Sequence, residues 1–246
     1  MIAVADIATD FTLEFVRLHL PPGSVRILEV GCGDGAVAAR LERSTAAVVA
    51  IDADEDSVRA ARKRGVDARR ADWPEFEDGV FDAVLFVRSL HHISPLNAAV
   101  RRAAEHLSPG GRVIVEDFAF DTCDRRTAQW FQDRLRRIPD ESFKSADGHS
   151  FAQRARSAAD PLAAWREDHA RHGKLHTAAE LRSALDGCFD RVEEWTAPYL
   201  FRYVAAALAP GEAQTAALNT FLKDERGTIE NRAIRPIGRR YVASLE

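Results

Sequence analysis

A glycine-rich turn between an apolar segment and a helical segment restricts the fold of this chain more than any other feature. Val25–Val30 is an apolar run typical of a buried strand, and Ala36–Arg43 has the spacing of a helix. Between them lie Gly31, Gly33 and Gly35. Glycines at a strand-to-helix turn let the backbone approach a ligand closely, because no Cβ stands in the way. The segment therefore predicts a ligand site at the carboxyl end of a strand.

The alternation of strands and helices continues through the first half of the chain. Further strands are predicted at Ala47–Ile51, Val66–Arg70, Phe81–Val87 and Val113–Val115, with helical segments between them. This order is typical of a parallel sheet with helices on both faces, joined by right-handed crossovers. Since ligands bind such sheets at the carboxyl ends of the strands, we predict a doubly wound α/β fold with its site along that edge.

Composition and periodicity divide the whole chain further. In chain order, the predicted segments are an N-terminal helical cap (1–24), a strand-rich core (25–118), a helical insertion (119–175), a last helix with hairpin strands (176–208) and a partly helical C-terminal tail (209–246). The hairpin strands are predicted at Phe189–Trp195 and Leu200–Leu208. We therefore expect a single domain with a mostly parallel, seven-stranded sheet and a terminal antiparallel hairpin. The cap and the insertion are expected to close over the strand ends.

The composition is that of a soluble globular protein. The chain has 246 residues, of which 46% are hydrophobic and 29% charged, and its net charge is −4. Such a charge gives no general attraction to nucleic acid or to an anionic membrane. The 3 cysteines are widely spaced, which fits neither a disulfide framework nor a cysteine zinc site. Neither a signal peptide nor a transmembrane segment is predicted, so we expect a cytoplasmic protein, from a bacterium given its Ala- and Arg-rich composition.

A carboxylate closes the strand that follows the glycine turn. Asp52 in that position can accept hydrogen bonds from both ribose hydroxyls of a nucleoside. The glycine spacing also fits the dinucleotide fingerprint, which leaves an NAD-linked oxidoreductase as an alternative. Glu29 and Asp34 weigh against a dinucleotide, because both would repel phosphates at the helix N-terminus. An acidic turn suits instead a ligand with cationic groups, such as an amine and a sulfonium.

Several motifs in chain order resemble those of class I S-adenosylmethionine-dependent methyltransferases. They are Glu29-x-Gly31-x-Gly33-x-Gly35, Asp52, the pair Asp72-Trp73, Phe81-Asp82-Ala83-Val84 with Arg88-Ser89-Leu90-His91-His92, and Leu107-Ser108-Pro109-Gly110-Gly111. The resemblance covers residues 25–118 and, more loosely, 176–208. It implies a transferase with a Rossmann-like methyltransferase fold, S-adenosyl-L-methionine as cofactor and S-adenosyl-L-homocysteine as product. From the residues themselves, we predict no metal.

The resemblance also implies which residues hold the cofactor. From the methionine end to the adenine end they are Glu29, Gly31, Cys32, Gly33, Arg88, Asp52, Ala53, Asp72 and Trp73. The backbone of Arg88 would bind the carboxylate or the amine of the methionine part. Asp52 would bind the ribose, and Asp72 with Trp73 would hold the amino group and the ring of the adenine.

Two histidines, His91 and His92, follow the fourth predicted strand, near the expected position of the methyl group. Histidine titrates in the range that a general base needs if the acceptor is a hydroxyl or a protonated amine. The alternative is that one of the two packs against or caps the next helix. Glu116 and Asp117, at the end of the fifth predicted strand, either contact a substrate amine or pair with an arginine.

Two groups of residues in or beside the insertion also have two interpretations. The histidines are solvated helix residues or, for two of them on one helix face, metal ligands: His149, His169, His172 and His176. The aromatic residues line an apolar acceptor pocket or pack the core of the same helices: Trp130, Phe131, Phe143, Phe151 and Trp165.

The acceptor class is narrowed by motifs that the sequence lacks. Arg88-Ser89-Leu90-His91 stands where amino-directed nucleic-acid methyltransferases carry N-P-P-Y or D-P-P-Y, and the Pro-Cys nucleophile of cytosine C5 enzymes is absent. Nucleic acid is therefore disfavoured as a partner, and we predict in-line methyl transfer to a small-molecule acceptor. An RNA or protein methyltransferase and a non-catalytic S-adenosylmethionine-binding protein stay open as alternatives. The sequence predicts neither the acceptor atom nor the oligomeric state.

Overall fold

A computed structural model describes residues 4–23, 25–43, 46–144 and 150–246. The helices in these ranges are α1 (Val4–His19), α2 (Ala36–Glu42), α3 (Glu55–Lys63), α4 (Leu96–Glu105), α5 (Arg125–Leu135), α6 (Phe151–Ser157), α7 (Pro161–Ala170), α8 (Ala178–Asp186), α9 (Leu200–Ala207) and α10 (Glu212–Glu230). The strands are β1 (Val25–Val30), β2 (Ala46–Asp52), β3 (Asp67–Arg70), β4 (Phe81–Val87), β5 (Leu107–Phe118), β6 (Arg191–Ala197) and β7 (Gly238–Ser244).

All these strands belong to one 7-stranded sheet in the order β3-β2-β1-β4-β5-β7-β6. Strand β1 pairs in parallel with β2 and β4, and the parallel pairs β2–β3 and β4–β5 extend the sheet on either side. Strands β7 and β6 add an antiparallel hairpin at the β5 side. The predicted doubly wound, mostly parallel sheet with a terminal antiparallel hairpin is confirmed. The strand order reverses between β1 and β4, and ligands bind at such a switch point.

Successive residues of the central strands face opposite sides of the sheet. Ile27 of β1 and Leu85 of β4 belong to a buried cluster with apolar residues of α1, α2 and α3. Their neighbours Leu28 and Val84 belong to a second buried cluster, with α4 and α8. Because both faces are covered by helices, the central strands are apolar along almost their whole length.

The chain divides into two compact units. The sheet unit consists of Phe11–Phe118, His176–Trp195 and Arg239–Glu246, and the helical unit consists of Met1–Asp10, Ala119–Leu175 and Thr196–Gly238. The expectation that the cap and the insertion of a single domain close over the strand ends stays a prediction.

The prediction of a strand at Leu200–Leu208 is wrong, because most of this segment forms helix α9. Its N-terminus is capped from a distant part of the chain. The buried carboxylate of Glu225, in α10, accepts hydrogen bonds from the backbone N–H groups of residues 199–201 at 2.7, 2.8 and 2.9 Å. These donors would otherwise be unsatisfied at a helix N-terminus. The second strand of the hairpin is instead Gly238–Ser244, from the predicted tail.

In the part of the chain that the structure describes, a membrane-spanning helix, a disulfide bond and a metal-binding group are all absent. No helix there is both long and apolar enough to cross a bilayer. Cys32, Cys123 and Cys188 are free thiols. No group of three or more His, Cys, Asp or Glu side chains is arranged to hold a metal ion.

Candidate functional site

A cavity of about 490 Å³ lies at the carboxyl ends of β1, β2 and β4 in the sheet unit, and we call it the sheet cavity. Most of the predicted site residues line it: Gly31, Gly33, Asp52, Ala53, Asp72, Trp73, Arg88 and His92. Its other lining residues were not predicted to bind a ligand: Val30, Ile51, Ala71, Ser89, Ile93 and Ser94. The volume is in the range that holds a cofactor-sized molecule.

The first turn of the site is packed tightly against the segment that follows β4. The backbone N–H groups of Gly31 and Cys32 both donate to the Ile51 carbonyl, at 2.9 and 3.0 Å. Gly31 has φ +72°, and a Cβ added there would lie 2.5 Å from the Ser89 Cβ. The Ser89 hydroxyl is itself fixed, because it donates to the Val30 carbonyl at 2.6 Å. Position 31 therefore requires glycine for both its conformation and its space.

Asp52 is held in one orientation by the backbone. Its Oδ2 accepts a hydrogen bond from the Gly33 N–H at 2.8 Å, and its Oδ1 accepts one from the Asp54 N–H at 2.9 Å. A carboxylate has about four acceptor sites, so each oxygen keeps capacity for a further donor. The carboxylate therefore lines the sheet cavity as a preoriented acceptor for two neighbouring hydroxyl groups.

Glu29 and Cys32 lie outside the wall of the sheet cavity, although both were predicted to bind the cofactor. Glu29 is buried, and its Oε2 has no hydrogen-bond partner among the described residues. Burial raises the pKa of its carboxyl to about 8, against the smaller opposing effects of an Ala38 hydrogen bond and the Arg88 charge. Burial also raises the pKa of the Cys32 thiol to about 12, which disfavours the nucleophilic thiolate form.

Trp73 combines a core position with a place in the cavity wall. Its side chain is buried, and its indole N–H donates to the Ala99 carbonyl at 3.0 Å. The ring stands edge-to-face against Phe86 and His106, with centroids 6.0 and 5.5 Å apart. Asp72, the preceding residue, is exposed and lines the same cavity. Both residues of the pair predicted to hold an adenine therefore line the sheet cavity, and the Trp73 ring is fixed by its hydrogen bond and its ring contacts.

Arg88 has an unusual backbone, with φ +58°. Its N–H donates to the Glu116 carbonyl at 2.7 Å and is therefore not available to a ligand. Of the two predicted roles of this backbone, binding a carboxylate needs the N–H, and binding an amine needs the carbonyl. Because the N–H is already bonded to Glu116, only the carbonyl of Arg88 is left to bind a ligand, and a carbonyl can bind an amine. The exposed guanidinium of Arg88 adds a positive charge to the cavity.

The two adjacent histidines differ in exposure, although their ring centroids are only 4.0 Å apart. His92 is exposed and lines the sheet cavity. His91 is buried against Phe118, and its Nδ1 lies 2.7 Å from Asp117 Oδ1, off the direction of an ideal hydrogen bond. Its backbone N–H donates to the other oxygen of Asp117 at 3.2 Å. His91 thus has the packing role that was the alternative for one of the pair, and His92 is the candidate base.

Glu116 pairs with an arginine, which was one of its two interpretations. Its Oε2 accepts from Arg240 at 2.6 Å, and its Oε1 accepts from the Thr12 hydroxyl at 2.7 Å. The side chain is buried, so this cluster ties α1, β5 and β7 together inside the sheet unit.

One contact that positions a residue of the sheet cavity could not be predicted from any short sequence motif. The buried His176 places Nε2 2.9 Å from the hydroxyl of Ser94, which lines the sheet cavity. The backbone N–H of His176 also donates to the His91 carbonyl at 2.9 Å. Ser94 and His176 are 82 residues apart, so only the fold brings them together.

In the helical unit, three of the five predicted aromatic residues pack together as a core, and Trp130 and Phe143 are half-buried. Phe131 and Phe151 are buried and stacked, with centroids 5.9 Å apart, and Phe151 meets the Trp165 ring edge-to-face. Trp165 also lines a second cavity. His169 and His172 belong to no metal-binding group among the described side chains, and His149 lies outside the described residues.

Comparisons with known proteins bear on the family. Residues 6–187 match the methyltransferase domain family. An uncharacterized methyltransferase of Mycobacterium tuberculosis strain H37Rv is 37% identical over 117 residues, which are 45% of this chain and 58% of that protein. The ubiquinone biosynthesis O-methyltransferase of Xanthomonas axonopodis pv. citri is 34% identical over 112 residues, 42% of this chain and 47% of that protein. The chain thus spans about half the length of the curated relatives that it matches.

Solved structures support the same fold over nearly the whole chain. The plantazolicin methyltransferase BpumL, in complex with S-adenosylhomocysteine (SAH), superposes with a TM-score of 0.54 at 13% identity, covering 97% of this chain and 82% of that one. An S-adenosylmethionine-dependent methyltransferase of Thermotoga maritima gives a TM-score of 0.54 at 15% identity, covering 99% and 91%. At such identities the likeness concerns the fold alone. With the family match over most of its length and the glycine turn, acid and sheet order described above, the chain belongs to the methyltransferase domain family.

Proposed function

We propose that this protein transfers the methyl group of S-adenosylmethionine to a small-molecule acceptor by in-line displacement. The observation that carries the proposal is the Asp52 carboxylate, which two backbone N–H groups orient at the wall of the sheet cavity. A nucleoside presents two neighbouring hydroxyl donors, which match the two remaining acceptor positions of this carboxylate.

The described residues fit such a cofactor. Asp52 would receive the ribose hydroxyls, and exposed Asp72 would accept from the adenine amino group beside the Trp73 ring. Gly33 leaves open space where a Cβ would point, so its backbone can border the ligand directly. The carbonyl of Arg88 is the candidate acceptor for the amine of the methionine part.

When bound, S-adenosylmethionine supplies a methyl group on a positively charged sulfur. The residues of this chain then have to align the acceptor with that carbon and keep water away. His92 lines the sheet cavity and can take the proton from an acceptor hydroxyl or ammonium group. The Asp117–His91 contact and the His91 carbonyl, bonded to the His176 N–H, fix the segment that carries His92.

We also propose the class of the acceptor and the location of the protein. A small-molecule acceptor is supported by the moderate negative charge of the chain, −4, and by the missing nucleic-acid motifs after β4. A cytoplasmic location is supported by free thiols at Cys32, Cys123 and Cys188, since disulfides are rare in reducing compartments. A bacterial source is supported by the bacterial origin of the relatives named above. The oligomeric state is left open.

Turnover tests this proposal. The full chain is incubated with S-adenosylmethionine and, separately, with phenols, catechols, primary amines and thiols, and SAH is quantified by chromatography. We expect SAH to form with at least one acceptor class and not without an acceptor. Methylation of added RNA or protein alone would overturn the small-molecule assignment. SAH binding without turnover on any of these substrates would identify a non-catalytic binding protein.

A further inference from the structure

The helical unit contains a cavity of about 400 Å³ that methyl transfer in the sheet unit does not explain, and we call it the helical cavity. It is bordered by the C-terminal half of α7, by the residues that follow that helix and by the segment 120–123. All of its lining residues belong to the helical unit, so the cavity is a property of that unit by itself.

One wall of the helical cavity is a fixed aromatic surface. The ring of Phe120 stacks on that of His169, with centroids 5.6 Å apart and planes 7° from parallel. Trp165 is buried beside His169 at a centroid distance of 4.3 Å, and its indole N–H donates to the Phe120 carbonyl at 2.8 Å. Because these rings hold one another in place, they offer a planar ligand a preformed stacking surface at low cost in conformational entropy.

His169 contributes a ring surface and not a free nitrogen. Its Nδ1 lies 2.7 Å from the Trp165 carbonyl, which can only accept, so Nδ1 carries the proton. Its Nε2 lies 3.0 Å from the Tyr203 hydroxyl, which donates to it in the neutral tautomer. With both nitrogens engaged, His169 is suited neither to metal binding nor to proton transfer in this cavity.

The charged side chains at the cavity have an excess of positive charge. Arg166 and Lys174 line it and are exposed, and Asp121 is the one acid among its lining residues. Neither cation forms an ion pair within the described ranges 4–23, 25–43, 46–144 and 150–246. The C-terminus of α7 adds a partial negative charge, which the two cations outweigh. An apolar ligand with one negative group would satisfy both parts of this lining.

We propose that the helical cavity binds a planar aromatic carboxylate. The aromatic ring system lies against Phe120 and the Trp165–His169 pair, and the carboxylate is bound by Arg166 and Lys174. This inference concerns ligand recognition by the helical unit and does not depend on methyl transfer.

Calorimetric titration of the full chain with 2-naphthoate and with its neutral isostere 2-naphthamide tests the proposal. We expect 2-naphthoate to bind at least tenfold more tightly than the amide. Arg166→Gln and Lys174→Gln should each weaken naphthoate binding about fivefold and leave the amide unchanged, while Lys223→Gln, an exposed cation outside the cavity, should change neither. Equal affinity for the two probes, no binding of naphthoate, or no effect of the cavity variants would overturn the proposal.

A cavity-filling variant locates the binding. Ala170 lines the helical cavity and is exposed, so Ala170→Phe should fit without disturbing the core and should abolish binding of both probes. SAH titration of the same samples reports separately on the sheet cavity. Retained SAH binding with lost naphthoate binding supports the assignment, and unchanged naphthoate binding in Ala170→Phe contradicts it. Absence of SAH binding would count against the proposed methyl transfer alone.

Discussion

The two units of this molecule build their cavities in different ways. In the sheet unit, the polar groups of the cavity come from strand ends and are oriented by backbone hydrogen bonds, as Asp52 is by Gly33 and Asp54. In the helical unit, the cavity wall is made of side chains that orient one another, such as Phe120, Trp165 and His169. The first arrangement depends on a short continuous sequence, and the second depends on the packing of separate helices. We therefore expect the sheet cavity to respond to single backbone changes and the helical cavity to changes in packing.

The largest loss of unfolding free energy is expected from Gly31→Ala, because this substitution strains the backbone of the glycine turn in the sheet unit. The new Cβ would lie 2.5 Å from the Ser89 Cβ, at a φ of +72°. Left-handed strain and overpacking together should cost up to about 5 kcal/mol of unfolding free energy. Gly33→Ala is the matched control, because its Cβ meets open space and only the cost of the φ of +55°, about 1–2 kcal/mol, applies. Urea denaturation measures both, and equal costs would contradict the tight packing at position 31.

Glu29 makes the stability of the sheet unit dependent on pH. Its pKa is raised to about 8 in the folded protein by burial, from an ordinary value near 4.5. The folded state therefore binds a proton that the unfolded state has lost, and the stability that this gives is lost as the pH rises toward and through 8. Between pH 5 and pH 9, the free energy of unfolding of the wild type should fall by up to about 4 kcal/mol more than that of Glu29→Gln.

Denaturant midpoints of both proteins at these two pH values check this expectation. Glu14→Gln, at an exposed position of α1, serves as the control and should follow the wild type. Parallel pH profiles of wild type and Glu29→Gln would show that Glu29 is already ionised in the folded protein at low pH.

In the helical unit, Glu225→Gln should be the most damaging conservative change. The carboxylate caps α9 with three hydrogen bonds, and a Gln amide would direct its own N–H groups at one of these donors. Leaving buried donors unsatisfied should cost about 2–3 kcal/mol. Thermal unfolding measures the loss, with Glu212→Gln at the exposed start of α10 as control. Equal stability of the two variants would mean that α9 does not need this cap.

Asp52→Ala should weaken cofactor binding, because it removes the acceptor that we propose for the ribose hydroxyls. Loss of two hydrogen bonds to a charged acceptor should weaken SAH binding by about 1–3 kcal/mol, or roughly 5- to 150-fold. Calorimetric titration gives the dissociation constant, and Asp56→Ala in α3 is the control, because Asp56 is an exposed acid that is not part of the cavity lining. An affinity equal to that of the wild type would remove Asp52 from the ribose site.

The smallest change in binding is expected from His92→Ala, whose effect should be on rate. If His92 takes the acceptor proton, the rate should fall by about 10²–10⁴ while SAH affinity stays within twofold. Once an acceptor is known, single-turnover kinetics separates these quantities. A lost affinity with an unchanged rate per bound cofactor would make His92 a wall of the cavity and not a base.

The features predicted correctly from the sequence are those set by local chemistry. The turn after β1 follows from its glycines, and helix α8 begins at a capping box formed by Thr177 and Glu180, which are only three residues apart. Both signals lie within a few neighbouring residues. The predicted place of Asp52 in the site follows equally from the end of a parallel strand beside the glycine turn.

The features that the sequence could not predict depend on partners far along the chain. The sequence predicts a strand where helix α9 forms, because the apolar run fits either state and the cap, Glu225, lies 25 residues beyond Leu200. Ser94 has no motif of its own, and its partner His176 is 82 residues away. His91 and His92 are identical neighbours in sequence, and only the position of Asp117 and Phe118 decides which of them is buried. Local pattern therefore predicts strand ends well and side-chain environments poorly.

The most direct test of the central claim is calorimetric titration of the purified protein with SAH, with NAD as the matched dinucleotide. The sheet cavity, with its oriented Asp52, should bind SAH at one site with micromolar affinity and should not bind NAD. The same titration of Asp52→Ala should show the weakened affinity given above. Binding of NAD that outcompetes SAH would contradict the account and return the glycine turn to a dinucleotide site.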